Sequence, residues 1–286
     1  NPLCYLWGLG GILAVYLCDA LMDNLVVSRR ALEGLLREVG AYLREQAQNF
    51  SRDNAEYKTA RDPVSYVDRT AEALLRKGCA RLLPDAGFIL EETGHFNTEQ
   101  EYIWVIDPLD GTKNFVHGIP LYGISVALLR RGEPILGMVY AVPQDELFWA
   151  VKGYGAYLGE ERLQVSTCED PDKILVVTGF MYRDPDRAEK YFRVLADVMR
   201  RYGGLRRLGS AALDLAYVAA GRLDVFFEMD LNPWDVAAGS LLVQEAGGIV
   251  TDFTGQPNFL FGKSILAGGA WSHQSLLSLI QSHHLA

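Results

Sequence analysis

Hydrophobic and polar residues follow a helical period at the start of the chain and an extended one after it. At 25–47 apolar residues recur every three or four positions between charged ones, which predicts an amphipathic helix, and 68–82 repeats the pattern. Apolar runs, several of them bounded by Gly or Pro, then predict the strands of one meandering sheet, at 87–90, 102–106, 122–129, 135–141 and 147–151.

Beyond about residue 165 strand and helix patterns alternate. They predict strands at 174–178, 223–227 and 264–267, and helices near 188–201, 210–220 and 234–246. No repeat or low-complexity linker interrupts them. We therefore expect an N-terminal extension at 1–21, an N-terminal α+β subdomain at 22–165 and a C-terminal α/β subdomain at 166–286, with any active site where the two subdomains meet.

The first eighteen residues carry no charge, and the apolar run at 3–17 reaches the lower limit for a membrane span. Glycines and tyrosines dilute the run, and no Lys or Arg precedes it, so it lacks the pattern of a signal peptide. Met22 resembles an ordinary protein start. An upstream extension, a membrane anchor and a packed extra helix all remain open for 1–21.

Composition narrows the class of protein. With 49% hydrophobic and 22% charged residues, the 286-residue chain can bury a large core, which excludes a disordered protein. The net charge of −9 repels polyphosphate backbones, so nucleic acid is not an expected partner. Four dispersed cysteines without a Cys-x-x-Cys pair predict a reducing compartment, and we expect the cytoplasm.

Three short segments concentrate carboxylates. The first is Glu-Glu-Thr-Gly at 91–94, which places Glu91 at the carboxyl end of a predicted strand, where sheets commonly present ligand groups. A solvated loop is the alternative for this segment taken alone.

The second segment, at 104–112, holds two acids around a proline turn. Pro108 keeps Asp107 extended, so that its carboxylate leaves the strand end in a defined direction. Gly111 and Thr112 suit a sharp turn into a short helix, whose free N–H groups can hold a phosphate. Asp107 and Asp110 can therefore converge on one point.

The third segment, at 232–239, starts a helix. Asn232 as N-cap and Pro233 at the first helical position place Asp235 in the first turn, where the helix dipole favours a negative charge. Asp235 either joins the other acids or only completes this helix end.

A cluster of these acids requires cations. Two like charges 4 Å apart repel by about 4 kcal/mol at an effective dielectric constant of 20. Carboxylate oxygens select hard ions such as magnesium, and the chain offers no His-x-x-x-His or Cys pair suited to zinc.

The three segments, in this order, closely resemble the signature of the inositol monophosphatase family, within the magnesium-dependent, lithium-sensitive phosphatase superfamily. The resemblance spans 25–279 and includes the stretches 114–120 and 209–216. It implies a layered α-β-α-β-α sandwich of the α/β (α+β) class, a homodimer, and two or three Mg²⁺ ions between the subdomains.

The resemblance also implies roles for individual residues. The implied metal ligands are Glu91, Asp107, the Leu109 carbonyl, Asp110 and Asp235, with Asp68 as an outer-shell or third-metal acid. Thr112 and Glu91 would orient the attacking water. The groups implied to meet the substrate are Asp110, the Gly111 and Thr112 amides, Ser210, the Ala211 amide, Glu228 and Asp235.

The expected reaction is hydrolysis of a small phosphate monoester by in-line attack of a metal-activated water. Inositol monophosphate is the first expected substrate of this phosphorylated-metabolite class; fructose 1,6-bisphosphate, adenosine 3′,5′-bisphosphate and histidinol phosphate are alternatives on the same site. Lys113 stands where inositol monophosphatases more often carry threonine, and it either attracts a second phosphate or points to solvent. No membrane partner is expected for the catalytic part.

Other classes fit less well. A haloacid-dehalogenase-type phosphatase needs two aspartates separated by one residue, whereas Asp107 and Asp110 are separated by two. The Gly-x-x-x-x-Gly-Lys motif of P-loop enzymes is missing. A non-catalytic, metal-binding regulatory module remains open, because acidic loops also bind structural cations.

Overall fold

The computed structural model describes residues 9–51, 56–59, 62–64, 66–180 and 185–285, and the side chains of 29–51, 66–180 and 187–285. Its helices are α1 (Leu9–Asn49), α2 (Tyr66–Leu82), α3 (Thr112–Val116), α4 (Pro185–Arg201), α5 (Ala211–Ala219), α6 (Pro233–Glu245) and α7 (Ala270–Ser282).

The strands form two large sheets and a two-stranded ribbon. The ribbon pairs β1 (Glu56–Thr59) with β2 (Asp62–Val64). The strands of the eight-stranded sheet are β3 (Gly87–Leu90), β4 (Gly94–Phe96), β5 (Tyr102–Asp110), β6 (Gly123–Arg130), β7 (Glu133–Ala141), β8 (Glu146–Val151), β9 (Gly155–Leu158) and β10 (Glu161–Arg162), in the order β10-β9-β8-β7-β6-β5-β3-β4. The strands of the five-stranded sheet are β11 (Leu175–Thr178), β12 (Gly204–Arg206), β13 (Val225–Met229), β14 (Ile249–Thr251) and β15 (Ser264–Gly268), in the order β12-β11-β13-β15-β14.

Three hydrophobic clusters stack these elements into five layers. The first joins α1 and α2 to one face of the eight-stranded sheet, and the second joins the other face of that sheet, through α5 and α6, to the five-stranded sheet. The third packs α4 and α7 on the outer face of the five-stranded sheet. The result is the predicted α-β-α-β-α sandwich.

The layer in which an element lies determines its hydrophobic pattern, because elements covered on both faces are buried all round. Neighbouring Phe226 and Phe227 on β13 are both buried, but the first belongs to the middle cluster and the second to the outer one. Helices of the middle layer are covered on both sides and are therefore apolar around most of their surface, as in the stretch 236–243 of α6. Gly137 lets β7 approach α6 closely, because a Cβ there would lie 2.9 Å from the Ala238 carbonyl oxygen.

The predicted elements are present, with different ends. Strand β5 continues to Asp110 because pairing with β6 resumes after a bulge. Helix α4 begins three residues earlier than predicted, and short strands such as β12 and β14, together with helix α7, escaped the pattern analysis. Strands of three residues are too short to show a hydrophobic period.

The backbone of α1 runs from Leu9 to Asn49, so it covers most of the expected extension at 1–21 as well as the helix expected at 25–47. Residues 1–8 lie outside the described chain. None of the described helices combines the length and apolar character that a membrane crossing requires. The division at residue 165 into two subdomains stays a prediction.

Candidate active site

Strand β5 carries two of the expected ligands, and a bulge turns both to one side. Asp107 lies opposite Ser125 on β6. Asp110 lies opposite Gly123, so three steps along β5 match two along β6. Residues three apart in a regular strand face opposite sides of a sheet, and the extra residue of the bulge cancels this reversal. Pro108 fits within the bulge, because the pairing of β5 with β3 has already ended at Ile106.

The start of α6 brings Asp235 to the same place. The Asn232 amide donates to Asp235 Oδ2 at 2.6 Å, so this carboxylate does complete the helix end. The Ser125 hydroxyl donates to the Trp234 carbonyl at 3.1 Å and ties the helix start to the strand opposite Asp107. Asp235 therefore serves the helix and the acid cluster together.

The acids meet in a single pocket. One carboxylate oxygen from each of Asp107, Asp110 and Asp235 lies within 4.8 Å of the others. The Glu91 carboxyl, at the end of β3, shares a hydrogen bond with Asp107. The pocket has a volume of about 170 Å³, and its walls are Glu91, Asp107, Leu109, Asp110, Gly111, Thr112, Lys113, Arg207, Gly209 and Asp235.

The electrostatics of this cluster are unfavourable without a cation. Burial raises the pKa of Asp107 well above its ordinary value, and the negative charges of the neighbouring acids raise it further. Burial raises the pKa of Asp110 to about 6, although hydrogen bonds from Ser210 and the Ala212 amide oppose the shift. The pKa of Asp235 is also raised, first by burial and then by the charge of Asp110.

Thr112 links the pocket to helix α2. Its hydroxyl lies 3.2 Å from Asp68 Oδ1 and 3.0 Å from the Leu109 carbonyl oxygen. Both partners are acceptors, so the hydroxyl donates a hydrogen bond to one of them, and its oxygen can accept a hydrogen bond from a water. Asp68 is itself buried and reaches the pocket through this contact. Gly111 makes the turn before Thr112 with a φ of 91°.

Helix α5 contacts Asp110 through its first turn. The Ser210 hydroxyl donates to Asp110 Oδ2 at 2.6 Å, and the Ala212 amide donates to the same oxygen at 2.7 Å. Ser210 is the N-cap of α5, and Ala211 is buried beside it. Neither residue lies on the wall of the pocket, so their described contacts support Asp110 rather than the pocket space.

Glu228, on β13, lies close enough to Arg207 and Asp110 to interact with their charges. Burial raises its pKa to about 8, with Arg207 lowering it and Asp110 raising it, while the Gly179 amide donates to its carboxyl group. The buried Asp214 of α5 has a raised pKa for similar reasons: burial first, then the charges of Glu228 and Asp110. A protonated Glu228 can donate a hydrogen bond as well as accept one.

Two cations line the pocket, and sequence reasoning identified only one of them. Lys113 and Arg207 are exposed and form part of the wall. The Asn114 side chain donates to the carbonyls of Leu121 and Leu208 and so holds the Arg207 loop beside α3. The sequence did hold a clue to Arg207, which stands two residues before the motif at 209–216. A cation at that position can compensate the charge of the buried acids.

The donor set fits a hard divalent cation. It consists of carboxylate and carbonyl oxygens, and the mutual repulsion of the buried acids is the kind that a bound cation removes. The residues that would hold the ion are Asp107, Asp110 and Asp235, with Glu91 and the Leu109 carbonyl on the adjacent wall.

The chain is similar to known proteins over nearly its whole length. A sequence model of the inositol monophosphatase family matches residues 26–285. The Nus factor SuhB of Escherichia coli K12 is 42% identical over 233 residues, which cover 81% of this chain and 87% of that protein.

Two solved structures are similar in fold as well. The extragenic suppressor protein SuhB of Bartonella henselae has a TM-score of 0.84 at 36% identity, covering 89% of this chain and 98% of the other. The Thermotoga maritima IMPase has a TM-score of 0.80 at 36% identity, covering 88% and 97%.

Proposed function

The chain belongs to the inositol monophosphatase family, and from this premise we propose that it is a Mg²⁺-dependent phosphatase for a small phosphate monoester, with inositol monophosphate as the first substrate. The observation that carries the proposal is the convergence of Asp107, Asp110 and Asp235 within 4.8 Å. Phosphate ester hydrolysis is among the slowest uncatalysed reactions and depends mainly on charge stabilisation and alignment.

When bound at these acids, two or three Mg²⁺ ions would neutralise the phosphate, lower the pKa of a water and stabilise the leaving oxygen. The chain's own groups would align the reactants. Glu91 and Thr112 orient the attacking water, and the Thr112 hydroxyl donates a hydrogen bond to Asp68 Oδ1 at 3.2 Å. The Gly111 and Thr112 amides bind the phosphate at the start of α3.

The remaining polar groups act on the substrate's alcohol. Glu228, on β13 near Arg207 and Asp110, is proposed to form a hydrogen bond with a substrate hydroxyl. Ser210 and the Ala211 amide, at the start of α5, are the other groups proposed to meet the substrate's hydroxyls, although neither forms part of the pocket wall described above. In the overall reaction water adds to phosphorus, the P–O bond to the alcohol breaks, and the alcohol oxygen takes up a proton.

The main alternative class of substrate is a metabolite that carries a second phosphate. Lys113 and Arg207 both line the pocket and can bind an additional anionic group. This favours testing fructose 1,6-bisphosphate and adenosine 3′,5′-bisphosphate beside inositol 1-phosphate and histidinol phosphate.

The test is phosphate release from these four esters with Mg²⁺, with EDTA and with added Li⁺. We expect inositol 1-phosphate to be hydrolysed fastest, EDTA to abolish the reaction and Li⁺ to inhibit it. A folded protein that binds Mg²⁺ but releases phosphate from none of the esters would instead be a non-catalytic, metal-binding module, a role open to a chain similar to proteins named Nus factor.

The proposal includes a cytoplasmic homodimer. Cys79 and Cys168 are free thiols, as expected in a reducing compartment. Phe192 and Met199, seven residues apart on α4, are 52% and 64% exposed and offer apolar surface on one face of that helix. Sedimentation equilibrium should give twice the mass of one chain, and a monomer would contradict this part of the proposal.

A further inference from the structure

Glu72 is a buried acid on helix α2 that makes no contact with the pocket itself. Only 1% of it is exposed, and it faces the loop that follows β3. Its Oε2 accepts from the Glu92 amide at 2.7 Å, and its Oε1 accepts from the Thr93 amide at 3.0 Å and the Thr93 hydroxyl at 2.7 Å. All three donors belong to the two residues directly after Glu91.

These bonds fix the backbone on one side of Glu91, and the sheet fixes the other. The Glu91 amide donates to the Ile106 carbonyl at 3.3 Å, next to Asp107 on β5. Glu91 therefore lies between a strand contact and the Glu72 contact, with its carboxyl group hydrogen-bonded to Asp107. Loss of the Glu72 contact removes three hydrogen bonds that hold residues 92 and 93 in the turn between β3 and β4.

Helix α2 connects this contact to a second residue of the pocket wall, Thr112. Asp68 and Glu72 are four residues apart and lie on the same helix face. Asp68 contacts the Thr112 hydroxyl, whereas Glu72 contacts the loop after Glu91. One rigid helix thus sets the spacing between the Glu91 wall and the Thr112 wall.

We propose that Glu72 is a positioning residue that sets the cation affinity of the pocket by fixing the loop that carries Glu91. The inference deepens the proposed function and rests on it for the nature of the cation. Groups that orient metal ligands from behind typically change metal affinity or activity by 10- to 100-fold when they are replaced.

A matched control separates this role from ordinary stabilisation. Glu245, at the end of α6, also accepts two backbone N–H bonds, from Gly153 at 2.7 Å and Gly155 at 2.9 Å. It lies ten residues along α6 from Asp235, a distance of about 15 Å at 1.5 Å per residue. Glu72→Gln and Glu245→Gln therefore make the same chemical change at a similar contact, near and far from the pocket.

The experiment is isothermal titration calorimetry of the full chain with Mg²⁺ alone. We expect Glu72→Gln to raise the Mg²⁺ Kd at least about tenfold, because the amide presents an N–H₂ group to backbone N–H donors. Glu245→Gln should leave the Kd unchanged, even if both variants lower the Tm equally. An unchanged Kd for a folded Glu72→Gln protein overturns the proposal.

Thr93→Val gives a milder second variant, since Thr93 is exposed and its backbone bond to Glu72 remains. It should raise the Kd by a smaller factor. If Glu72→Gln does not fold and Thr93→Val has the wild-type Kd, the proposal also fails.

Activity separates this inference from the proposed function. In an active enzyme, Glu72→Gln should raise the Mg²⁺ concentration for half-maximal rate and recover most of kcat at saturating Mg²⁺. Wild-type protein that binds Mg²⁺ without releasing phosphate refutes the proposed function but leaves the positioning role supported by the change in Kd. Wild-type protein that binds no Mg²⁺ refutes both.

Discussion

Asp107 combines a structural contact with its proposed role as a ligand. Its Oδ1 accepts the Leu109 amide at 2.9 Å within the bulge of β5. Asp107→Asn keeps an oxygen acceptor for this bond and removes one negative charge from a repelling cluster. We expect phosphate release to fall at least about a hundredfold, with a metal-free Tm equal to or above that of the wild type. A well-folded variant with the wild-type rate would refute the assignment.

The raised pKa values of the pocket acids predict a pH-dependent response to Mg²⁺. Asp110 has a pKa of about 6 in the folded protein against 3.8 ordinarily, so between these values the folded state holds a proton that the unfolded state releases. In metal-free protein, the contribution of Asp110 to the free energy of unfolding therefore falls as the pH rises from 3.8 to about 6. Mg²⁺ needs the deprotonated acids, so its stabilisation grows with pH.

Thermal unfolding with EDTA or Mg²⁺ at pH 5 and pH 8 measures this effect. The rise in Tm caused by Mg²⁺ should be larger at pH 8. A rise that is equal at both values, or larger at pH 5, would contradict the assignment of the buried acids to metal binding.

At the residue scale, the sequence predicted which acids converge on the pocket, but not which residues hold or neutralise them. Glu91, Asp107, Asp110 and Asp235 stand at strand and helix ends, where local pattern reveals them. Glu72 and Arg207 act through contacts that only the packed chain creates, since Glu72 meets a loop twenty residues away in sequence. A buried Glu within an amphipathic helix gives no local sign of such a partner.

At the element scale, the turn from β5 into α3 requires glycine. Gly111 has a φ of 91°, and a Cβ there would lie 2.9 Å from the Leu121 carbonyl oxygen. Gly118, just after α3, has a φ of 70° with open space around it. An L-residue in the left-handed region costs about 1–2 kcal/mol.

Gly118→Ala should therefore lower the free energy of unfolding by about 1–2 kcal/mol, and Gly111→Ala should lower it by more because a clash adds to the backbone cost. Urea denaturation of the two variants measures the difference. Equal losses at the two positions would show that the turn relaxes without strain.

The bulge in β5 shows what hydrophobic pattern cannot predict. The run at 102–106 predicts a strand and Pro108 predicts its end, yet pairing resumes at Asp110. The decisive contact is with Gly123, on a different strand, so the register depends on tertiary structure. Amphipathic α1 and α2 were predictable because each buries one face, whereas α6 is apolar nearly all round and its period carries less information.

At the scale of the whole molecule, layering brings distant segments to one pocket. Acids from β3, β5 and α6 meet beside the middle layer, although they are separated by up to 144 positions in sequence. The net charge of −9 opposes an anionic substrate, and Lys113 with Arg207 offsets only part of the charge of the four acids on the pocket wall, so the proposed metal ions would supply the rest. The resemblance of the acidic motifs to those of the inositol monophosphatase family predicted the five layers correctly. The hydrophobic pattern alone predicted the helices and strands but not how they stack.

The most direct test of a divalent-cation centre at Asp107, Asp110 and Asp235 is anomalous diffraction from crystals of the protein grown with Mn²⁺, which shares the oxygen preference of Mg²⁺. We expect an anomalous peak among these three side chains, at about 2–2.3 Å from their oxygens. A Mn²⁺-containing crystal with no peak there, and with the three carboxylates turned away from a common centre, would contradict the account.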